Sequence, residues 1–429
     1  MKLYTKILIG MAVGIIVGYI YNVAGIADWA IYTNWIGDIF IRLVKMLVVP
    51  LVLVSLVLGS ASLGDIRKVG KMGGKAFGFF MFTTAVAAMI GLAVANVFQP
   101  GNGLPEEQKQ QLEAQYEGQA AEKTAGSQEM ESKSTFENII GLFVRLVPTN
   151  PFQALSSGDM LGVIFFSLFL GICMTLIPPE KAAPLIKAFD GLNDAIIKMV
   201  TLAMETAPYG VFALMLGVVA DLGLDILLLL IKYAFVVLIG LLLHICITHF
   251  SFIYFYVKQS PIKFILAIKE AVVMGFSTSS SSATLPISMD VAQHNLGVSR
   301  EVSSFVLPLG ATINMDGTAV YQAIAALFIA QVYGMDLGFA AQLTIILTAT
   351  LASVGAAGVP GAGMITLALV LGSVGVPATG IALIFGLDRI LDMCRTVVNI
   401  FGDLTLTTIM AKSEGETVVI SSGKDLIPG

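Results

Sequence analysis

The sequence predicts an all-α polytopic membrane protein, with eight transmembrane helices and two re-entrant helical hairpins arranged as inverted repeats. Three observations carry that prediction. Of 429 residues, 56% are hydrophobic and only 12% charged, with a mean hydropathy of +0.88; an ordinary soluble domain carries about twice that charge. Apolar stretches at 7–21 with its flanks, 47–63, 79–98, 155–177, 211–243 and 338–374 supply the ~20 residues that a helix needs to cross hydrocarbon. Two later stretches are each interrupted midway by clustered Ser, Gly, Ala and Pro. A β-barrel would instead alternate over short segments.

The first apolar segment follows Lys2 and Lys6, the charged start of a signal peptide, but lacks a small-residue cleavage site and reads as span 1. Lys and Arg in short loops stay cytoplasmic. Arg67, Lys68, Lys71 and Lys75 between spans 2 and 3, Lys181, Lys187 and Lys198 before span 5, and Lys258, Lys263 and Lys269 after span 6 mark that side. Asp28, Asp221 and Asp225 mark the other, as do the glutamates of residues 100–137. The result is six spans with the N-terminus inside: spans 1–2 in 1–75, span 3 in 76–99, an acidic extracellular loop at 100–137, spans 4–5 in 138–222, and span 6 from 223. That loop is too polar to support a core.

After span 6 the pattern changes. Residues 262–292 are broken by "GFSTSSSSATLP" and 336–374 by "ASVGAAGVPGAG". Each has two half-length arms, so each reads as a re-entrant hairpin, tolerated only where protein or a watery cavity receives its backbone. A long segment follows each, 299–333 and 376–411. Paired interruptions of this kind point to a transporter's binding site; the plainer alternative is two ordinary helices loosened for close packing. The tail from 412 to 429 is expected in the cytoplasm, as is the N-terminus.

Span 8 holds the most expensive residues. Asp388, Asp392, Arg395, Asn399 and Asp403 fall within roughly 80° of one helix face at 100° per residue. Each charged one would cost about 2.5–3.5 kcal/mol at the bilayer centre, so the stripe faces a wet or protein-lined interior. Arg389 lies off it, a cytosolic-side or interfacial charge. A structural reading would pair Asp392 with Arg395 to hold helices together. That reading leaves a second polar cluster unexplained, "GATINMDGTAVYQ" at 310–322, whose Asn314, Asp316 and Thr318 are oxygen donors beside two glycines. Oxygen ligands with one or two carboxylates suit hard monovalent cations, and unwound-helix carbonyls complete such shells. Thr83 and Thr84 offer two hydroxyls more.

An unneutralised Arg395 binds a carboxylate or phosphate bidentately, Asp392 suits an ammonium group, and the serines at 279–282 offer donors for a second carboxylate. Together they describe an acidic amino acid, though other zwitterions fit as well. The three cysteines (Cys173, Cys246, Cys394) all lie in apolar segments and suggest no disulfide framework. The three histidines show no Cys/His spacing of a structural zinc site. His244 and His249 in span 6, and His294 after hairpin 1, have no evident partner carboxylate, which argues against the serine run as a hydrolytic nucleophile. Nothing in the sequence points to nucleic acid or a cofactor.

"STSSSSATLP", "LPLGATINMDGTAVYQ", "SVGAAGVPGAG" and "LDMCRTVVNIFGD" resemble the four signature stretches of the glutamate/aspartate (dicarboxylate/amino acid:cation) symporter family, and the resemblance runs the length of the chain. It implies a homotrimer in which spans 1, 2, 4 and 5 form a scaffold. Span 3, together with residues 223–411 (span 6, hairpin 1, span 7, hairpin 2, span 8), moves as an elevator-like transport domain gated by hairpin 2. It implies that Arg395, helped by Thr318, holds the substrate side-chain carboxylate and Asp392 the amino group. Asn399 with Ser280 and Ser281 takes the α-carboxylate, Thr396 joins the substrate pocket, and Val359 and Gly363 line the gate.

Sodium ions are implied as co-transported ligands. A first site would use Asp403, Asn399, Asn314 and Gly310; a second, mostly carbonyls of Thr312, Met315, Ser353, Val354 and Ala356; a third, Asp316, Asn314, Thr83, Thr84 and the Phe80 carbonyl. Retained Arg395 favours an acidic substrate, since neutral amino acid members have a small residue there. Gln322 replaces a glutamate tied to potassium counter-transport in animal members. Ser279 and Met393 stand where many relatives carry a further arginine, and the off-stripe angle of Arg389 argues against its substituting. Proton-coupled and C4-dicarboxylate members remain alternatives. The short termini and absence of an N-x-Ser/Thr sequon suggest a prokaryotic plasma membrane.

Overall fold

The computed structural model describes residues 3–62, 71–103, 144, 147–157, 159–223, 225–353, 361–418 and 420, and every regular element among them is helical. Most of the acidic loop, Arg67 and Lys68, the second hairpin's tip at 354–360 and the end of the tail lie outside them.

Helix α1 (Leu3–Val23) runs against α7 (Ala207–Leu222). Its Gly10, Gly14 and Gly18, one per turn, are packed so closely that a Cβ on each would meet the carbonyl oxygens of Pro208, Phe212 and Leu216, also one per turn. Small residues every fourth position are how membrane helices bring backbones together where no hydrophobic effect drives them. Helix α2 (Ile31–Ser62), with Pro50 inside it, packs on α5 (Met160–Leu176), α6 (Pro179–Glu205) and α7; the short α4 (Pro151–Ser157) packs on α5. Helices α6 and α7 meet at a 51° bend.

Helix α3 (Lys71–Phe98) lies on α8 (Asp225–His244), α12 (Asp316–Val332) and α13 (Phe339–Ser353). Beyond His244, α8 continues through π turns at Ile245–His249 and Phe252–Val257. Its Leu228, Ile231, Phe235, Leu238 and Leu242 are exposed at alternating three- and four-residue steps, whereas Tyr233, Val236, Val237 and Leu241 are buried. An apolar stripe turned outward at helical spacing is a face made for hydrocarbon.

Where the two hairpins are expected, the described residues form helix pairs. Helix α9 (Pro261–Thr278) turns into α10 (Ser281–His294) through Ser279, left-handed at φ 52°, and Ser280, whose Oγ accepts from Ala283 N to cap α10. A serine N-cap satisfies one of the orphan amides of the helix start. Helices α13 and α14 (Ala362–Ser373) are the second pair. The segment expected at 299–333 is two helices, α11 (Arg300–Ile313) and α12, broken at Asn314 and Met315; α15 (Ile381–Ser413) is unbroken.

Among the described residues four helices are long and apolar enough to cross a membrane, or five if the α6–α7 pair counts as one span. Those four are Thr5–Val23, Met72–Phe98, Ile226–Val257 and Arg300–Val332. Helix α15 has the length but carries Asp388, Arg389, Asp392, Arg395, Asp403 and Lys412, and α2 is apolar enough only over Val49–Leu58. The architecture is therefore that of a polytopic helical membrane protein whose central helices are polar inside.

Candidate substrate and cation site

Helix α12 is buried from Asp316 to Ala330, and α15 from Val398 to Ala411, so the polar stripe of α15 faces protein. Arg395 is 1% exposed. Its Nη2 donates to Asp392 Oδ1 at 2.8 Å and lies 2.9 Å from Asp388 Oδ1, a charge contact rather than an aligned hydrogen bond. Its guanidinium carbon stands 3.9 Å from the centre of the Tyr321 ring, within the range of a cation–π contact. Arg395 is thus compensated, not unneutralised as the sequence reading has it. The long side chain reaches back two turns to a carboxylate on its own stripe. All three charges belong to one helix, and the network also reaches α12 through the Tyr321 ring. Among the described residues Nε and Nη1 of Arg395 have no partner, and a Cβ on Gly363 would stand 3.0 Å from Nη1 and 3.2 Å from Thr318 Cγ2. Arg395, Thr318 and Gly363 therefore meet.

Asp392 Oδ2 accepts the Gly361 amide at 3.0 Å. Gly361 has φ 83°, left-handed backbone that other residues rarely adopt, so this glycine lets the start of α14 reach α15. Arg389 Nη1 is 3.7 Å from the same oxygen: off the stripe by angle, it still curls onto Asp392 because residues three apart are neighbours on a helix. Thr396 Oγ1 donates to Asp392 O at 2.8 Å. Ser281 and Ser279 are buried at the turn of the first pair.

The break in the α11–α12 segment has a direct cause. Asn399 Oδ1 accepts the Gly317 amide at 2.8 Å, while Asn314 Nδ2 donates to Asn399 O and to Asp403 Oδ1, both at 2.9 Å. Side chains of α15 satisfy polar groups that the interrupted helix leaves open. Asn399 Nδ2 reaches Met315 Sδ at 3.3 Å, and Asn314 Oδ1 has no partner among the described residues. A Cβ on Gly310 would run into the Asp403 carboxylate, its Cγ 2.9 Å away. Asp403, Asn399, Asn314 and Gly310 therefore converge.

The third expected set converges too. Asp316 Oδ1 accepts from Thr84 Oγ1 at 2.7 Å and from Thr83 Oγ1 at 3.2 Å, and Thr83 also donates to Phe80 O at 3.2 Å. Of the second set, Met315 is buried, while the Thr312 hydroxyl, partly exposed, is spent on Leu309 O of its own helix. Ser353 ends α13; Val354, Ala356 and Val359 lie outside the described residues.

Sequence reasoning missed one partnership. His244 and His249 do have a carboxylate: their Nε2 atoms lie 3.2 and 3.5 Å from Asp316 Oδ2. Asp316 follows His244 by 72 residues, so no local spacing could reveal it. Gln322 donates to Thr366 Oγ1 at 2.6 Å, tying α12 to α14.

The family profile described as the sodium:dicarboxylate symporter family matches residues 3–413. A proton/sodium-glutamate symport protein of Bacillus caldotenax is 40% identical over 414 residues, covering 96% of this chain and 94% of that protein. The proton/glutamate-aspartate symporter of Escherichia coli is 36% identical over 417 residues, 95% and 92% of the two. A C4-dicarboxylate transport protein of Bacillus subtilis is 35% identical over 424 residues, 97% and 95% of the two.

Proposed function

This chain belongs to the sodium:dicarboxylate symporter family, and from that premise we propose that it takes up L-glutamate and L-aspartate in symport with sodium ions. The observation that carries the substrate class is Arg395, sealed inside the protein with Nε and Nη1 unpartnered among the described residues, beside Thr318 and Gly363. A planar fork with two free donors receives a side-chain carboxylate. Asp392, one turn away, takes the substrate ammonium, and Asn399 with Ser280 and Ser281 the α-carboxylate. A C4-dicarboxylate has no ammonium to set against Asp392.

Sodium ions are co-transported, bound by the oxygens that gather around Asp403 and around Asp316, with a second ion held between α11–α12 and the tip of the second hairpin. Protons are the second reading, because the relatives' names carry both ions. The moving unit comprises 76–99 and 223–411 and the scaffold 1–75 and 138–222. Helices α1, α2, α5, α6 and α7 pack chiefly on one another, and α3 and α8–α15 do likewise, a division that supports an elevator movement in a trimer. The α9–α10 and α13–α14 pairs are re-entrant, and the second acts as the gate, resting on Asp392 through Gly361. Eight spans place both termini in the cytoplasm of a prokaryotic cell.

The test is uptake of labelled L-aspartate and L-glutamate into proteoliposomes of the purified protein, with sodium and proton gradients imposed separately. Uptake under a sodium gradient, lost in Arg395→Ala and Asp403→Ala, is the expected result. Uptake driven by protons alone would remove the sodium sites, and transport of succinate but neither amino acid would remove the role given to Asp392.

A further inference from the structure

The π turn at Ile245–His249 has a chemical consequence. Five residues apart on a regular α-helix, His244 and His249 would point about 140° away from each other. The wider turn brings both onto one side, their ring centres 4.8 Å apart, and π turns gather at functional sites. Both rings are fully buried. Their Nε2 atoms share one acceptor, Asp316 Oδ2, at 3.2 and 3.5 Å.

A buried hydrogen-bonded pair would need one histidine, not two. His244 fits that role, with Thr248 Oγ1 3.2 Å from its Nδ1. His249 does not: among the described residues neither of its ring nitrogens has a hydrogen-bond partner, and each buried group left unmade costs on the order of 1–3 kcal/mol. Three donor atoms, two imidazole nitrogens and a carboxylate oxygen, all lie within 4.8 Å of one another. A tetrahedral ion with bonds of 2.0–2.1 Å separates its donors by about 3.4 Å. The two His–Asp separations, 3.2 and 3.5 Å, bracket that value, and the imidazole nitrogens, within 4.8 Å of each other, would draw together on a bound ion. Imidazole ligands suit zinc, copper, nickel and cobalt, whereas sodium, calcium and magnesium prefer oxygen. The Thr248 hydroxyl can donate to Nδ1 of His244 or accept from it, so it can hold the tautomer that frees Nε2 for a metal.

We propose that His244, His249 and Asp316 form a binding site for a tetrahedrally coordinated divalent transition metal, zinc above all, whose occupancy blocks the cation position on the other face of the Asp316 carboxylate and so arrests uptake. Three protein ligands leave a fourth position open for water. Asp316 Oδ1 faces Thr83 and Thr84 while Oδ2 faces the histidines, so one carboxylate serves two cations of different chemistry. The metal site stands on its own geometry; only the antagonism with sodium rests on the function proposed above.

The test uses cobalt(II) as a coloured stand-in for zinc, added to the purified full-length protein and to His249→Phe and His249→Gln, with folding checked by gel filtration. Wild type is expected to give the visible absorption of tetrahedral cobalt, bleached by zinc, and a folded His249 variant is expected to lose it. Absence of that band in wild type, or its persistence in both variants, would overturn the site. In proteoliposomes zinc is expected to inhibit wild type, with inhibition weakened about tenfold or more in the variants relative to each one's own uptake, since even an outer-shell change weakens a metal by 10–100-fold. Raised sodium is expected to relieve it; inhibition indifferent to sodium would overturn the shared carboxylate. If no protein takes up substrate under sodium, the proposed function fails, and the cobalt spectrum still decides the metal site.

Discussion

Arg395 illustrates what a single buried charge requires and permits. Two carboxylates on its own helix compensate it, and Tyr321 covers its face. Charge-assisted hydrogen bonds contribute about 1.5–3 kcal/mol each, so losing two to a substrate carboxylate removes about 3–6 kcal/mol. Arg395→Ala is accordingly expected to weaken glutamate uptake by at least about 100-fold, read as the apparent affinity in proteoliposomes. Asp388→Asn is expected to act on stability instead: breaking a buried pair costs about 3–5 kcal/mol, seen as a lower melting temperature in detergent. Gly310→Ala drives a methyl into the Asp403 carboxylate, and a raised sodium requirement for uptake is the outcome to look for. The stripe that holds these groups was legible because helical periodicity is local. The pairing of Arg395 with Asp392 was legible as an i, i+3 contact; its second contact, with Asp388, was not, because stripe angle says nothing of how far back a flexible side chain reaches. The histidines of α8 were opaque for a different reason: a carboxylate on another helix gives them their meaning.

Elements were read well wherever breakers cluster. The serines at 279–282 mark a real interruption, because Ser279 and Ser280 provide the left-handed and capping geometry that regular helix excludes, and Gly361 before α14 is left-handed too. The division of the α11–α12 segment was foreshadowed by Asn314 and Asp316, yet its cause, the side chains of Asn399 and Asn314 filling the gap, exists only once α15 has docked. The π turn in α8 has no sequence signal at all. For α1, glycines at 10, 14 and 18 make a prediction of their own. Gly14→Val places branched carbon against Phe212 O, where a bare Cβ already stands at 2.5 Å. Overpacking costs about 1–3 kcal/mol, so the purified protein should lose thermal stability, while Gly74→Ala, where a Cβ meets nothing within 4 Å, should leave it unchanged.

At the scale of the molecule, the two groups of helices touch at several places, α1 against α15 among them. A Cβ built on Gly386 contacts Met11 Sδ and lies 3.8 Å from Met11 Cβ, the mean separation in a disulfide. With Cys173, Cys246 and Cys394 replaced, Met11→Cys/Gly386→Cys is expected to lose uptake on oxidation and recover it on reduction if the groups slide past each other. Uptake unaffected by a complete cross-link would count against an elevator.

One more consequence belongs to the Asp316 carboxylate. It draws hydroxyls from α3, 232 and 233 residues earlier, and imidazoles from α8, 72 and 67 residues earlier. A ribosome makes those partners first. Until α12 emerges, the nascent chain holds two hydroxyls and two imidazoles inside a bilayer with no acid to gather them. The centre of this protein is therefore closed only once α12 is made: a chain halted before residue 316 has the partners of α1, α2 and α5–α7 in hand but leaves the polar groups of α3 and α8 without their acid.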